Sequence, residues 1–366
     1  YSPYRRDGIY IKDVDNNIWS LGSTDRSMFL GEYGYRARAL KSAYTNVSDI
    51  YASFNNILYK TKDNKLYGAG TNIYGGLGLG DKLITPIAKN INISPIQSIR
   101  QIVMNTKDCD ISYILDSNNK IYNSGANTYG QSVTNNSVNT FTLADKNLPS
   151  GDIVEKIYAK DNSLFVKTTN GKMYAMGKNI FGDLGVGSIT NFISNFTQIT
   201  KDVDNNNIDF NNALVITNGF SFTYMLMRDQ TIYVFGNNSK GQLGLSTVGT
   251  IEPSIKNMNW FKDRNIEIAD IKIGEEFAVF LTKTGDVYTI GDNSSGQLGI
   301  GSRVNSLEPV KVNIQDVEEV VVSRNYTIVI KKDGSVYSFG KNDYGQCATR
   351  TLEDILSPTK AIELMR

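Results

Sequence analysis

Residues 284–301 read TGDVYTIGDNSSGQLGIG. Thr284-Gly285-Asp286 is turn chemistry, since Gly and Asp tolerate the positive φ that a tight hairpin needs. Val287, Tyr288 and Ile290 then form a short apolar and aromatic run, which reads as a strand. Gly291 ends the run. Asn293 stands two residues on, Gly296 five on, and Leu298-Gly299 closes the motif. Glycines at such points permit sharp turns and close backbone approach.

The same grammar recurs along the chain as IWSLGST, LYGAGTN, IYNSGAN, MYAMGKN, IYVFGNN, VYTIGDN and VYSFGKN. The shared glycines are Gly22, Gly70, Gly125, Gly177, Gly236, Gly291 and Gly340, spaced 48, 55, 52, 59, 55 and 49 residues apart. Three residues before each glycine is an aromatic: Trp19, Tyr67, Tyr122, Tyr174, Tyr233, Tyr288 or Tyr337. A hairpin turn precedes the aromatic, as in Asp63-Asn64-Lys65, Asn118-Asn119-Lys120 and Asp333-Gly334. Upstream of the turn lie two apolar strands, such as Ile268–Ile273 and Val279-Phe280-Leu281. A weaker fourth strand follows the glycine loop, as in Glu308–Val312. A period near 50 with strand-like content means blades rather than helical repeats. The expected fold class is all-β: a seven-bladed β-propeller of four-stranded antiparallel blades. It is read as one domain over 1–366, almost without helix.

The loop copies TNIYGGLG, ANTYGQSV, KNIFGDLG, NNSKGQLG, DNSSGQLG and KNDYGQCA carry a resemblance. G-x-N-x-x-G-Q-L-G preceded by D-G-x-V-Y resembles the RCC1 (regulator of chromosome condensation) repeat family and its tubulin-suppressor-like relatives. The resemblance covers essentially the whole chain. It implies a propeller used for protein contact and, from the family's namesake, guanine-nucleotide exchange on a small GTPase as an alternative. There are departures. The first repeat lacks the Asn and the second glycine. The third and seventh lack Leu-Gly. Where the family usually carries an inner-strand His, this chain has Ser112, Ser163, Thr223, Phe277 and Tyr326. Functions that depend on that His do not carry over.

Composition narrows the chemistry. The 366 residues hold 38 basic and 37 acidic side chains and no histidine. The commonest general base, zinc ligand and pH switch are therefore missing. No basic stripe suggests nucleic acid. Cys109 and Cys347 are too few for a disulfide framework or a four-cysteine zinc site, although one bridge between them is open. No apolar run approaches the ~18 residues of a membrane span. The sequence begins at Tyr1 rather than Met, which reads as a processed product or fragment. Abundant Asn, Lys and Ile suggest a low-GC bacterial source.

Several features tempt a functional reading. Six glycine loops without following helices do not make a phosphate cradle, which occurs once and opens a helix. Lys-Asp-Val-Asp-Asn-Asn occurs at 12–17 and 201–206. Neither copy has the glycine and glutamate of a calcium loop, for which Ile18 and Thr24, or Asn207 and Ala213, stand instead. Asp108 with Asp110, Glu275-Glu276 and Glu318-Glu319 read as solvated acids. No catalytic residue, cofactor or metal site is assigned. Just before the second glycine stand Tyr74, Tyr129, Phe181 and Tyr344, which are the candidate partner-binding residues; packing is the competing role. The stretch between Gly185 and Phe220 exceeds what a blade needs and is a candidate functional loop.

These features together predict a non-enzymatic binding module that presents loops to a protein or a cell-surface glycan. It would be one part of a larger bacterial surface, secreted or phage-tail-like assembly, with a cytoplasmic setting as the alternative. The segment Ser357–Met365 is expected to finish the last blade, with Ile362–Met365 continuing into the first.

Overall fold

The computed structural model describes residues 8–12, 18–23, 35–41, 46–53, 56–105, 111–132, 136–144, 148–160 and 162–361. They form an all-β propeller fold of four-stranded antiparallel blades. The chain falls into two compact units, one of Tyr1–Tyr35, Leu40–Ile180 and Thr190–Thr200, the other of Arg36–Ala39, Phe181–Ile189 and Lys201–Arg366.

In the first unit one blade joins Val47–Ala52, Asn56–Thr61, Leu66–Gly70 and Thr85–Asn90. A second joins Ile99–Met104, Ile111–Asp116, Ile121–Gly125 and Val138–Leu143, and a third Val154–Lys160, Ser163–Thr168, Met173–Lys178 and Phe192–Ile199. In the second unit Ala213–Asn218, Phe222–Met227, Ile232–Asn238 and Thr250–Asn257 form one blade. The next is Ile268–Ile273, Phe277–Thr282, Val287–Gly291 and Ser306–Lys311, followed by Val317–Val322, Tyr326–Lys331, Val336–Gly340 and Ile355–Lys360. Every blade is a meander in chain order, as the repeat grammar implies.

The expectation of seven four-stranded blades is corrected: among the described residues there are six. The first repeat forms a three-stranded sheet of Gly8–Lys12, Ile18–Ser23 and Tyr35–Lys41. This is the repeat that lacks the loop Asn and second glycine, and no strand precedes Gly8–Lys12 among the described residues. Ile355–Lys360 finishes the last blade as expected, pairing Tyr337 with Lys360 and Gly340 with Ile355. The continuation at Ile362–Met365 lies outside the described residues. Helical structure within them amounts to two short 3-10 turns, Phe210–Asn212 and Lys262–Arg264.

Burial grades across each blade. Second strands such as Ile111–Asp116, Phe222–Met227 and Phe277–Thr282 are buried at every position. Both faces of these strands are covered, so they read as unbroken apolar runs rather than alternating ones. Fourth strands such as Thr85–Asn90 are mostly exposed, and their sequence signal is correspondingly weak. Facing blades supply the core between them: Phe222, Tyr224 and Val234 of one pack with Ile271, Phe280 and Ile290 of the next. The Tyr224 and Phe280 rings meet edge-on at 5.5 Å, a favoured aromatic geometry.

The hairpin turns form where expected. Asn64, Asn119, Gly171, Gln230, Gly285 and Gly334 have positive φ. Gln230, at +65°, is the exception to the Asn and Gly preference. Its side chain also reaches the next blade, accepting a 2.7 Å bond from the Ile268 N–H. Asp333 steadies its turn by accepting from Ser335 N–H and hydroxyl, and these bonds hold its carboxyl below the usual range.

Candidate functional site: the glycine loops

Each loop after the shared glycine is held from within by its asparagine. Asn293 is fully buried; its Oδ1 accepts from Leu298 N–H at 3.0 Å, and its Nδ2 donates to the carbonyls of Ser302 and Val304 at 2.8 and 3.0 Å. Asn72, Asn238 and Asn342 do the same for Leu77, Leu243 and Cys347. Asn127 holds Ser132 N–H at 2.9 Å. The loop glutamine braces the turn in a parallel way, since Oε1 of Gln131, Gln242, Gln297 and Gln346 accepts the N–H two residues back. A buried amide without a partner costs about 1–3 kcal/mol, so these side chains make the loops rigid.

The glycines are spacers. The shared glycine lies at a register shift against the fourth strand in each blade. The second glycine lies on the fourth strand of the following blade. A Cβ on Gly75 would approach Asn139, one on Gly130 Ser194, one on Gly182 Pro253, and one on Gly296 Leu356, all within 2.9 Å. Backbone bonds link the same pairs of elements, including Gly80 N–H to Asn139 O and Gly301 N–H to Leu356 O, both 2.8 Å. Loop and neighbouring strand interlock at one repeat after another.

The four sequence-predicted aromatics sit on these loops. Tyr74 and Tyr129 belong to the first unit, Phe181 and Tyr344 to the second. Each is half-buried. The Lys178 ammonium lies 5.8 Å from the Tyr129 ring centroid, within cation–π range. Each ring is thus part covered and part exposed.

Comparison with known proteins places a family likeness in the last two repeats. The profile of the "Regulator of chromosome condensation (RCC1) repeat" matches residues 284–330 and 333–366, and a second profile of that description matches 268–297 and 317–346. Residues 268–366 are thus similar to the RCC1 repeat. Over 179 residues it is 30% identical to the X-linked retinitis pigmentosa GTPase regulator of Canis lupus familiaris, covering 46% of this chain and 16% of that protein. It therefore spans a minor part of that relative's length. Prp20p of Saccharomyces cerevisiae matches with a TM-score of 0.77 at 17% identity, over 94% of this chain and 85% of that one. Human WBSCR16 matches at 0.73 and 17% identity, over 89% and 84%. At such identities the likeness is one of fold.

Other features of these repeats resolve as structure. The Ser112 hydroxyl donates to Gly76 O at 2.7 Å, Thr223 to Asp183 O at 3.1 Å and Thr327 to Gln297 O at 3.4 Å. Hydroxyls at the second position of the inner strand thus tie three of the six blades to the preceding glycine loop. The positions Ser163, Phe277 and Tyr326 are one residue out of this register, which strand pairing reveals and spacing alone does not. Glu275 and Glu276 part company: Glu275 takes a bidentate bond from Arg324 at 2.5 and 2.6 Å, while Glu276 accepts from Ser239 at 3.3 Å. The second Lys-Asp-Val-Asp-Asn-Asn copy is a turn in which Asp202 accepts from Asn206 N–H at 2.8 Å. Residues 13–17 and 106–110, which hold the first copy's acids and Asp108, Cys109 and Asp110, lie outside the described residues. Cys347 is a free, buried thiol pushed up to about 12 by burial. Among the described residues no three acidic or cysteine side chains converge as a metal site.

Sequence reasoning missed one surface feature. Two or three residues before the fourth strand stands an exposed aliphatic residue in five blades: Leu83 at 64% exposure, Ile189 at 52%, Val248 at 53%, Val304 at 71% and Leu352 at 65%. Its signal was present, since the position is aliphatic again and again in a polar stretch.

Proposed function

We propose that this chain is a non-enzymatic binding module, a single domain that takes a protein partner on its glycine loops. The observation that carries the reading is the contrast within each loop. The Asn, Gln and Gly side chains or spaces are committed to the scaffold, while a half-buried aromatic in four loops and an exposed aliphatic in five keep surface toward solvent. Open aromatic and aliphatic side chains on a rigid frame are the material of interface anchors. The names of the relatives lean the same way: the structural study of Prp20p concerns its binding to Gsp1p and histones, and the canine relative is a GTPase regulator. Guanine-nucleotide exchange on a small GTPase is the second reading, supported by those names.

The test is capture from a native lysate with the intact chain and with the quadruple variant Y74A/Y129A/F181A/Y344A, alongside thermal melts. The expected result is a specific protein partner retained by the intact chain and reduced about tenfold or more by the variant, about 1.4 kcal/mol or more of binding. The variant should melt close to the parent. A collapse in melting temperature with no soluble protein would make the four rings packing residues. Equal capture by both chains would move the interface elsewhere.

A further inference from the structure

The long stretch between Gly185 and Phe220 resolves into blade and non-blade parts. Phe192–Ile199 is a fourth strand and Ala213–Asn218 the first strand of the next blade. The true insertion is 200–212. It is pinned to its unit by the bridge between Asp202 and Ile255 and by Val203 N–H donating to Ile255 O at 2.8 Å. Its end, the short 3-10 turn from Phe210, lies beside the Phe222–Met227/Ile232–Asn238 hairpin, with Arg228 N–H donating to Asn212 O at 2.8 Å. Together they enclose a cleft of about 290 Å³ lined by Asp209, Asn212, Met227, Arg228, Asp229 and Tyr233. The cleft is built on the hairpin turn, a different set of loops from those proposed to bind protein.

The lining has three chemistries in one small space. Met227 is buried and Tyr233 half-buried, giving an apolar floor of thioether and ring. Thioethers and aromatic rings favour aromatic guests. Arg228 is exposed and has no ion pair or side-chain hydrogen bond among the described residues. Its planar fork of donors suits a carboxylate. Asp209 and Asp229 supply negative charge. Asp209 is positioned by Asn211 N–H and Asn212 Nδ2, each at 3.0 Å. Asp229 is positioned by Thr231 N–H at 3.0 Å and its hydroxyl at 2.9 Å, with the Lys262 ammonium further off at 3.8 Å. Partial burial raises the Asp229 carboxyl, but these Thr231 bonds and Lys262 outweigh it, so it stays ionised to below the usual range. Tyr233 is raised by burial and then by Asp202 and Asp229, so its hydroxyl remains a donor.

We propose that this cleft binds a free aromatic α-amino acid: carboxylate on Arg228, ammonium between Asp209 and Asp229, and ring on Met227 and Tyr233. The volume, at the low end of ligand pockets at roughly 300 Å³, fits an amino acid rather than a nucleotide or an oligosaccharide. A simple anion would meet two carboxylates, and a simple cation would meet Arg228. A zwitterion satisfies both.

The test is ligand-observed saturation-transfer NMR on the full chain with L-phenylalanine, N-acetyl-L-phenylalanine and L-phenylalanine amide. L-phenylalanine is expected to bind, with each derivative weaker by about tenfold or more. The exposed R228Q variant should melt like the parent and lose the L-phenylalanine signal. The proposal is overturned if either derivative binds as well as the free amino acid. It is also overturned if R228Q binds unchanged, or if no signal develops up to about 10 mM, the millimolar limit of weak specific binding. Capture of a protein partner on the glycine loops is unaffected by any of these outcomes.

Discussion

Replacing Gly182 with alanine is expected to cost several kcal/mol, far more than the same change at Gly334. Both glycines have positive φ, +65° and +78°, so both variants pay the left-handed penalty of about 1–2 kcal/mol. Their surroundings differ. A Cβ at Gly334 meets nothing within 4 Å, whereas one at Gly182 lands 2.5 Å from Pro253 Cα and 3.1 Å from Pro253 N. Pro253 is backbone in the strand Thr250–Asn257, between the pairs Gly236↔Glu252 and Val234↔Lys256. It also accepts from Gly187 N–H at 2.9 Å. It has no flexible end to swing aside. The loop must lift off the strand, adding about 1–3 kcal/mol. Urea unfolding of both variants measures the difference. Equal losses would mean that the glycine serves only its own turn and not the contact between blades.

Asn293→Ala is expected to be comparably severe, and Asn293→Asp to be pH-dependent with an unusual sign. The alanine variant leaves Leu298 N–H and the carbonyls of Ser302 and Val304 without their partner in a fully buried site. At about 1–3 kcal/mol per orphaned group, partly relieved by water, the loss is about 3–5 kcal/mol. The aspartate variant keeps the acceptor for Leu298 N–H but turns an oxygen toward two carbonyl oxygens. Ionisation is then disfavoured in the folded state, and the carboxyl titrates above its unfolded value of about 3.9. For an acid raised by folding, the destabilisation is absent below the unfolded value, grows as pH rises from there and levels off above the folded value. N293D should therefore lie closest to the parent near pH 4 and furthest from it at pH 7. Urea midpoints at the two pH values check this. A pH-independent gap would mean that Asn293 Nδ2 does not face those carbonyls in solution.

What is legible in the sequence is local and periodic. The hairpin turns, the strands before and after them and the six glycine loops stand where spacing places them. The loop Asn reads as a turn holder because an amide near a glycine has few other partners, and it is one. What repeats cannot display is contact between blades. Gly75 against Asn139 and Thr223 against the Asp183 carbonyl join residues 40 or more apart, and no local pattern marks such pairs. The weak fourth strand misleads for a related reason. Phe192–Ile199 is largely exposed and carries little apolar alternation, so by sequence it merges with the insertion and hides the cleft above 200–212. The first repeat keeps its aromatic and glycine but not the loop Asn, and it is the one whose described strands number three rather than four.

The central claim is that the glycine loops are rigid parts of the blades on which contact residues are displayed, and residue-resolved hydrogen exchange tests it most directly. Amides closed by the loop asparagines belong to Leu77, Leu243, Leu298 and Cys347. Although they lie outside the strands, they should exchange as slowly as the inner-strand amides of Phe222–Met227 and Phe277–Thr282, opening only with the blade. The neighbouring aliphatic segments at Val248 and Val304 should exchange quickly. Exchange of the four capped amides at the rate of those exposed segments would contradict the account.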